Sequence, residues 1–507
     1  MLSMQSISDT SRASSYYFEV DDYYSENGKA ESYWYGVGAE TLGLSGKVEK
    51  SDFKELMEGR VGGQTMHNAA EGRRAALDLT LSAPKSVSIQ ALIGGDDRLI
   101  GAHNLAVNKA LDYVQSIAAY RHTVNGLTMV IPSNNVVVAS LQHGTSRSAD
   151  PSLHSHNLLL NLSQRNDGQW RALHIPDLRY KKEVVSGVYK TELAREAVKM
   201  GYEVVRTHTD GRFELAHITR KQIEVFSQRS NAIGEKLASL GLNRASASVR
   251  QKEIATLSTR DKKEITDKVQ LKKDWINKAQ KHNVNLSIPL NSSKEIVNVK
   301  EETGKSVNYS IAHETERKSI VMESDLVKSA LNHGVGKVDV TSVRGEMHRL
   351  VQSGELIRAG DRFTTKAAQE IERKMLSIEV RGRGTVPRIT TVGQLEKNAQ
   401  NMKLNAGQIG AVRQIIETKN RFCAIQGSAG VGKTFALKVA NETAAQHNYK
   451  LLGIAPSAVA ARELSKVGME SQTVAGFLNQ NQNTLNERVV LVVDEASMVS
   501  AKDMLSI

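Results

Sequence analysis

Three histidines stand close together in the sequence: His143, His154 and His156. His154-Ser155-His156 lies in a run with strand-like alternation, 153–160, so both imidazoles point to one face. His143 ends a preceding strand pattern, 135–142, and 144–152 reads as the hairpin loop between them. Antiparallel pairing would set His143 opposite His154 and bring the three rings together. Three convergent neutral imidazoles make a facial metal site with open positions, which phosphate oxygens can fill. The plainer alternative is three polar histidines on an exposed sheet face. Two tyrosine pairs, Tyr16-Tyr17 and Tyr23-Tyr24, lie near the N-terminus. Tyrosine is a covalent nucleophile. Its attack on a phosphodiester gives a phosphotyrosine that keeps the energy of the broken bond, so rejoining needs no ATP. On a helix, Tyr16 and Tyr23 would share a face, which also suits simple packing. Asp78 sits in the alternating run 76–82 with Thr80 and Ser82. It could orient a ligand histidine, accept a tyrosine proton, or face solvent.

A second constellation lies far along the chain. Gly427-Ser428-Ala429-Gly430-Val431-Gly432-Lys433-Thr434 fits the phosphate-loop pattern. Backbone amides at the start of a helix cradle phosphates, Lys433 would reach the β- and γ-phosphates, and Thr434 would hold Mg²⁺. The run 422–426 reads as a short buried strand before the loop, and 489–493 as the matching strand ending in Asp494 and Glu495. Asp494 would help hold Mg²⁺ and Glu495 would polarise the attacking water.

The elements that must position these groups differ along the chain. Strand patterns in the first third, with helical spacing over 104–119 and 185–200, predict an α+β layer with an antiparallel sheet. Residues 219–284 read as a basic helical region, 285–310 as a polar linker, 320–370 as short helices with a small hairpin, and 380–387 as a second linker. From about residue 391 the order is α/β. The 507 residues have room for about three domains at ~150 each. Lys and Arg exceed Asp and Glu by 67 to 55, which favours an anionic partner such as nucleic acid. One cysteine excludes an internal disulfide framework and any Cys-rich zinc module. No apolar run approaches membrane-span length and no signal peptide is evident.

The N-terminal Met1-Leu2-Ser3, the two tyrosine pairs, Leu42-Gly43-Leu44-Ser45-Gly46, Asp78 with Ser82-Ala83-Pro84-Lys85-Ser86-Val87-Ser88, and the three histidines resemble the MobF class of conjugative relaxases among the HUH endonucleases. The resemblance covers roughly residues 1–300. It implies a palm-like antiparallel sheet, a helical clamp at 219–284 over single-stranded DNA, and site-specific nicking at a plasmid origin of transfer. By it, Tyr16 makes the first cut and stays on the 5′ phosphate, Tyr23 serves a second strand transfer, and Tyr17 and Tyr24 support or substitute. Asp78 matches the acidic residue beside the metal histidines. Mg²⁺ or Mn²⁺ is the expected ion, with Zn²⁺ or Ni²⁺ favoured by imidazole affinity. Expected partners are the origin DNA, relaxosome accessory proteins and the secretion apparatus, in the bacterial cytoplasm.

The later region resembles a superfamily 1 helicase of the RecD-like kind. Leu404-Asn405-Ala406-Gly407-Gln408 looks like its Q motif, with Gln408 reading adenine, 455–461 like motif Ia and 494–498 like motif II. The expected organisation is a relaxase domain 1–300, a winged-helix-like module 311–378 and a first RecA-like lobe 391–507, stopping after motif II. ATP binding without unwinding is the expectation for such a chain. The alternatives are an HUH rolling-circle initiator or transposase, a non-catalytic DNA-binding autorepressor, and an ATPase or helicase loader whose N-terminal domain only binds DNA.

Overall fold

The computed structural model describes residues 1–8, 32–62, 64–66, 74–146, 148–174, 176–243, 246–259, 267–288, 298–390, 404–428, 430–480 and 488–507. Tyr16, Tyr17, Tyr23, Tyr24 and Ala429 lie outside them. The chain divides into two units: Met1–Ser310 with Ser324–Met347, and Ile311–Glu323 with His348–Ile507.

Alternating apolar residues build the sheet of the first unit. Its strands are β1 (Leu2–Ile7), β2 (Ser32–Tyr35), β3 (Ala76–Ser82), β4 (Val138–Thr145) and β5 (Pro151–Leu160). Their order is β1-β3-β5-β4-β2, and every neighbouring pair is antiparallel. The fold is therefore the α+β layer that the sequence predicts. The central strand, β5, carries the His-Ser-His run.

One face of this sheet is covered by α1 (Lys85–Leu92), α2 (Asp97–Ser116) and α3 (Lys182–Lys199). Helix α2 starts where the Asp96 carboxylate accepts from the Arg98 N–H, and it buries Leu99, His103, Ala106, Ala110 and Val114 on one side. The other sheet face is split. Ala139, Leu141, Leu158 and Leu160 at one end pack with Trp34, Phe53, Leu56 and Met57. The histidines occupy the other end. Covering both faces leaves Asp78 only 4% exposed, so the solvent-facing alternative for this residue fails.

The basic region forms helices Arg220–Val225, Gln228–Ala238, Val249–Ser258 and Lys268–Lys281. Two of them, Gln228–Ala238 and Lys268–Lys281, are tied to the histidine hairpin. Trp275 donates its Nε1–H to the Ala149 carbonyl at 2.8 Å, and Gln228 donates its backbone N–H to Asp150 at 2.8 Å.

The expected polar linker 285–310 is instead partly helical. Residues Val299–Thr315 form α4, which buries Thr303, Ser306, Val307 and Ser310. Its hidden face is mostly short hydroxyl side chains, and Ser310 donates to the Leu326 carbonyl at 2.7 Å. Low apolar content was a poor guide because serine hydroxyls bonded to another segment, Ser306 to His333 and Ser310 to Leu326, can line a helix interface. Segment Ser324–Met347 packs on α3: the Thr191 hydroxyl donates to the Leu331 carbonyl at 3.2 Å, and Arg195 pairs with Asp339 at 3.0 Å.

In the second unit, strands Leu356–Ala359 and Arg362–Thr365 form the small hairpin, joined by Val321–Met322 and followed by helix Lys366–Arg381. Further on, Lys450–Ala455 is the middle of a three-stranded parallel sheet between Glu470–Thr473 and Val489–Val493. Helices Ala406–Glu417, Lys433–Gln446 and Ala458–Ser465 bury Val412, Ile416, Val439, Ala440 and Leu464 around it. Residues 422–426 are not the buried strand that their apolar content predicts. They join no ladder among the described residues, and Phe422 and Ile425 are 45% and 40% exposed. A buried strand needs a ladder for its peptide groups, and this segment has none.

Candidate metal centre and phosphate loop

Register places the histidines. His143 on β4 lies directly across from His154 on β5, and His156 lies across from Thr80 on β3. The three ring centres are 5.3–5.4 Å apart in all three pairs. Three imidazoles bound to one ion at about 2.1 Å, with angles near tetrahedral, would have ring centres about 5.3 Å apart.

Hydrogen bonds orient two of the rings. The Nδ1 of His154 is 2.8 Å from the Ser152 carbonyl, which can only accept. The Nδ1 of His156 is 2.8 Å from Asp78 Oδ2. Each ring therefore offers Nε2 as its lone-pair nitrogen in the neutral form, the arrangement in which a carboxylate or carbonyl steadies a metal-binding histidine. Thr80 donates to the other oxygen of Asp78 at 3.2 Å. His143 is buried at 8% exposure. The donor set thus fits a divalent ion. Among the described residues no three His, Cys, Asp or Glu side chains stand so that, without adjustment, they could hold one metal ion.

The hidden face of β5 carries a network that sequence reasoning missed. His103 on α2 sits between the Tyr189 hydroxyl, 2.7 Å from Nδ1, and the Ser155 hydroxyl, 2.9 Å from Nε2. All three side chains are buried. The only signal was a histidine on the apolar face of α2. Burial, and then the nearby His154, push the His103 imidazole down to about 3. This is below the ordinary value near 6.5, so the folded state excludes the charged ring while the unfolded chain takes up the proton. The stabilisation is full above pH ~6.5 and is lost as pH falls towards 3. Between pH 7 and pH 5 the linkage amounts to roughly 2 kcal/mol. Chemical denaturation of the wild type against His103→Gln should show this slope in the first and its absence in the second.

Lys85 and Ser88 on α1 also hold β5. Lys85 donates to the Pro151 carbonyl at 2.8 Å, and Ser88 Oγ accepts from the Leu153 N–H at 3.0 Å.

In the second unit the glycine-rich loop leads into helix Lys433–Gln446, with Gly430 and Gly432 at φ 80° and 79°. Both lie in the left-handed region that favours glycine. The Lys433 ammonium donates to the Gly427 carbonyl at 2.8 Å. Gln408 caps its own helix by accepting from the Asn405 N–H at 3.0 Å, and its Nε2 donates to the Val431 carbonyl at 3.2 Å. This brings Gln408 onto the loop. Asp494 and Glu495 follow strand Val489–Val493, with the Asp494 N–H bonded to the Ile454 carbonyl at 2.9 Å.

The sequence profile of the TrwC relaxase family matches residues 10–282, and that of an AAA domain matches residues 403–507. The multifunctional conjugation protein TraI of Escherichia coli is 34% identical over 289 residues, which are 54% of this chain and 16% of that protein. Conjugal transfer protein TraA of Agrobacterium fabrum is 36% identical over 88 residues, 17% of this chain and 8% of that protein. The chain thus spans a small part of the curated relatives it matches. A solved structure of conjugative relaxase TrwC in complex with oriT DNA, metal-free, covers 57% of this chain and all of that one, with 40% identity and a TM-score of 0.53. A metal-bound structure of the same complex gives 41% identity and a TM-score of 0.53.

Proposed function

The chain belongs to the TrwC relaxase family, and from that premise we propose that it is a conjugative relaxase, nicking one DNA strand at an origin of transfer by tyrosine transesterification. The carrying observation is the triad of His143, His154 and His156 at 5.3–5.4 Å spacing with Asp78 behind His156. The Nε2 atoms of the three histidines would hold a divalent ion, Mg²⁺ or Mn²⁺ by abundance and Zn²⁺ or Ni²⁺ by imidazole affinity. Such an ion supplies Lewis-acid polarisation of the scissile phosphate.

The chain's own residues do the rest. The Tyr16 hydroxyl attacks phosphorus, and its proton passes to a base, for which Asp78 and solvent are the candidates. The P–O3′ bond breaks, the departing 3′ oxygen takes a proton from solvent, and a 3′-hydroxyl and a 5′-phosphotyrosine remain. Return attack by a 3′-hydroxyl restores the DNA and frees the tyrosine. Tyr23 serves a second transfer, and Tyr17 and Tyr24 support it. Asp78 holds His156 in the tautomer that presents Nε2. The basic helices within 219–284 clamp the strand, and their ties to Ala149 and Asp150 fix the hairpin beside it.

The organisation we assign is a nicking domain over 1–300, a winged-helix-like module over 311–378 and a RecA-like lobe over 391–507. The loop Gly427–Thr434 binds ATP, with Mg²⁺ held by Thr434 and Asp494. Glu495 polarises water, and Gln408 serves the adenine or the loop. The partners are origin single-stranded DNA, accessory proteins of the relaxosome and the secretion machinery, reached from the cytoplasm. Among the described residues no helix is long and apolar enough to cross a membrane.

The test is a denaturing gel of the chain with origin single-stranded DNA, with Mn²⁺ or with EDTA. A metal-dependent adduct that survives denaturant is expected. Tight binding without an adduct would favour a DNA-binding repressor. Lys433→Ala should leave adduct formation within about twofold and abolish nucleotide binding, because transesterification conserves bond energy and the lysine serves phosphates. Loss of nicking in that folded variant would count against independent domains.

A further inference from the structure

We infer that His103 is a positioning residue for the metal ligands, acting from the opposite side of the sheet through Ser155. The inference rests on the reading of His143, His154 and His156 as ligands. Ser155 stands between His154 and His156 on β5, and strand alternation turns its side chain to the hidden face. There His103 Nε2 meets its hydroxyl at 2.9 Å, while His103 Nδ1 is held by Tyr189 at 2.7 Å. The network joins three elements: α2, α3 and the ligand strand.

Stability alone does not call for this arrangement. A leucine and a phenylalanine would fill the same core without polar groups to satisfy. A fully bonded buried network instead selects one position and one orientation of its members. A residue displaced at 155 carries both neighbouring ligands with it, and sites of this kind tolerate only about 0.5 Å. The neutral imidazole is a donor at one nitrogen and an acceptor at the other. Each hydroxyl can take either role, so the chain of bonds closes in both directions. On the same face, Ser88 accepts from the Leu153 N–H at 3.0 Å, and Asn157 donates to the Leu79 carbonyl at 2.9 Å. Of these groups, only the His103 chain ends on a side chain flanked by two ligands.

The full chain and its variants should be titrated calorimetrically with Mn²⁺ alone, with melting temperature recorded for each. A glutamine reproduces the Nε2 position and an asparagine the Nδ1 position. His103→Gln therefore keeps the bond to Ser155 and should bind Mn²⁺ within about threefold of wild type. His103→Asn and Ser155→Ala lose that bond and should bind about tenfold more weakly, the lower end of what outer-shell changes bring. Equal affinities for the Gln and Asn variants, or lowered melting temperatures with unchanged Mn²⁺ affinity, would overturn the inference. If the Asn variant does not fold, Ser155→Ala against Tyr189→Phe decides it: the first must weaken Mn²⁺ binding more than the second. A wild-type chain that binds Mn²⁺ and cuts no origin DNA would refute the nicking reading and leave this inference to be settled by the same titration. A wild-type chain that binds no Mn²⁺ overturns the ligand assignment and this inference together.

Discussion

His154→Ala is expected to remove divalent-metal binding at the triad and to slow strand cleavage by about a thousandfold, several kcal/mol of lost Lewis-acid stabilisation. The reason is geometric. His154 forms one edge with His143 at 5.4 Å and another with His156 at 5.3 Å, so its removal leaves two ligands where three converge. The fold should survive, because the His154 ring is not among the buried side chains that build the core. DNA affinity should fall far less than cleavage, since on the proposed reading the basic helices would supply phosphate contacts independently of the triad. Asp78→Asn makes a graded control. It keeps all three imidazoles but weakens the 2.8 Å support of His156, and should reduce metal affinity by about 10–100-fold. Metal titration and single-turnover cleavage on one oligonucleotide separate these outcomes. An unchanged titration in His154→Ala would refute the ligand assignment.

Tyr16→Phe is expected to eliminate the covalent adduct altogether. The substitution removes one oxygen, the atom that bonds phosphorus, while keeping the ring that would pack. The unperturbed tyrosine pKa is near 10, so the hydroxyl needs activation at neutral pH, and no other group on that ring can substitute for it. The same denaturing gel measures this. Adduct formation at the wild-type rate would move the first cut to Tyr17 or Tyr23, and peptide mapping of the adduct would say which. Metal binding in Tyr16→Phe should match wild type, because the triad is built wholly on β4 and β5.

Much of the candidate site was legible because it is local. The two-residue period of a strand turns His154 and His156 to one face whatever surrounds them. A short polar segment between two strands makes the hairpin, which brings His143 across from His154. The phosphate loop is equally local. Its glycines, lysine and threonine are contiguous, and the helix that follows begins at Lys433 as the pattern requires. The hairpin at 356–365 and the basic helices were legible for the same reason.

The failures share a different cause. Residues 422–426 have the composition of a buried strand, yet strand formation depends on a partner ladder that composition does not encode. The 285–310 segment looked like a linker because most of its buried side chains are short hydroxyls, and two of them find partners far along the chain, Ser306 at His333 and Ser310 at Leu326. The burial of Asp78 depends on a second covering of the sheet by Trp34, Phe53 and Met57. His103 gave almost no signal, since its partners lie 52 and 86 residues away at Ser155 and Tyr189. Period, turn chemistry and loop motifs act over a few residues, so the chain alone determined which side chains face together and where the glycine-rich loop leads into its helix. Burial, cross-strand support and the hidden network behind the ligand strand arise from contacts between distant segments, and only tertiary packing decided them.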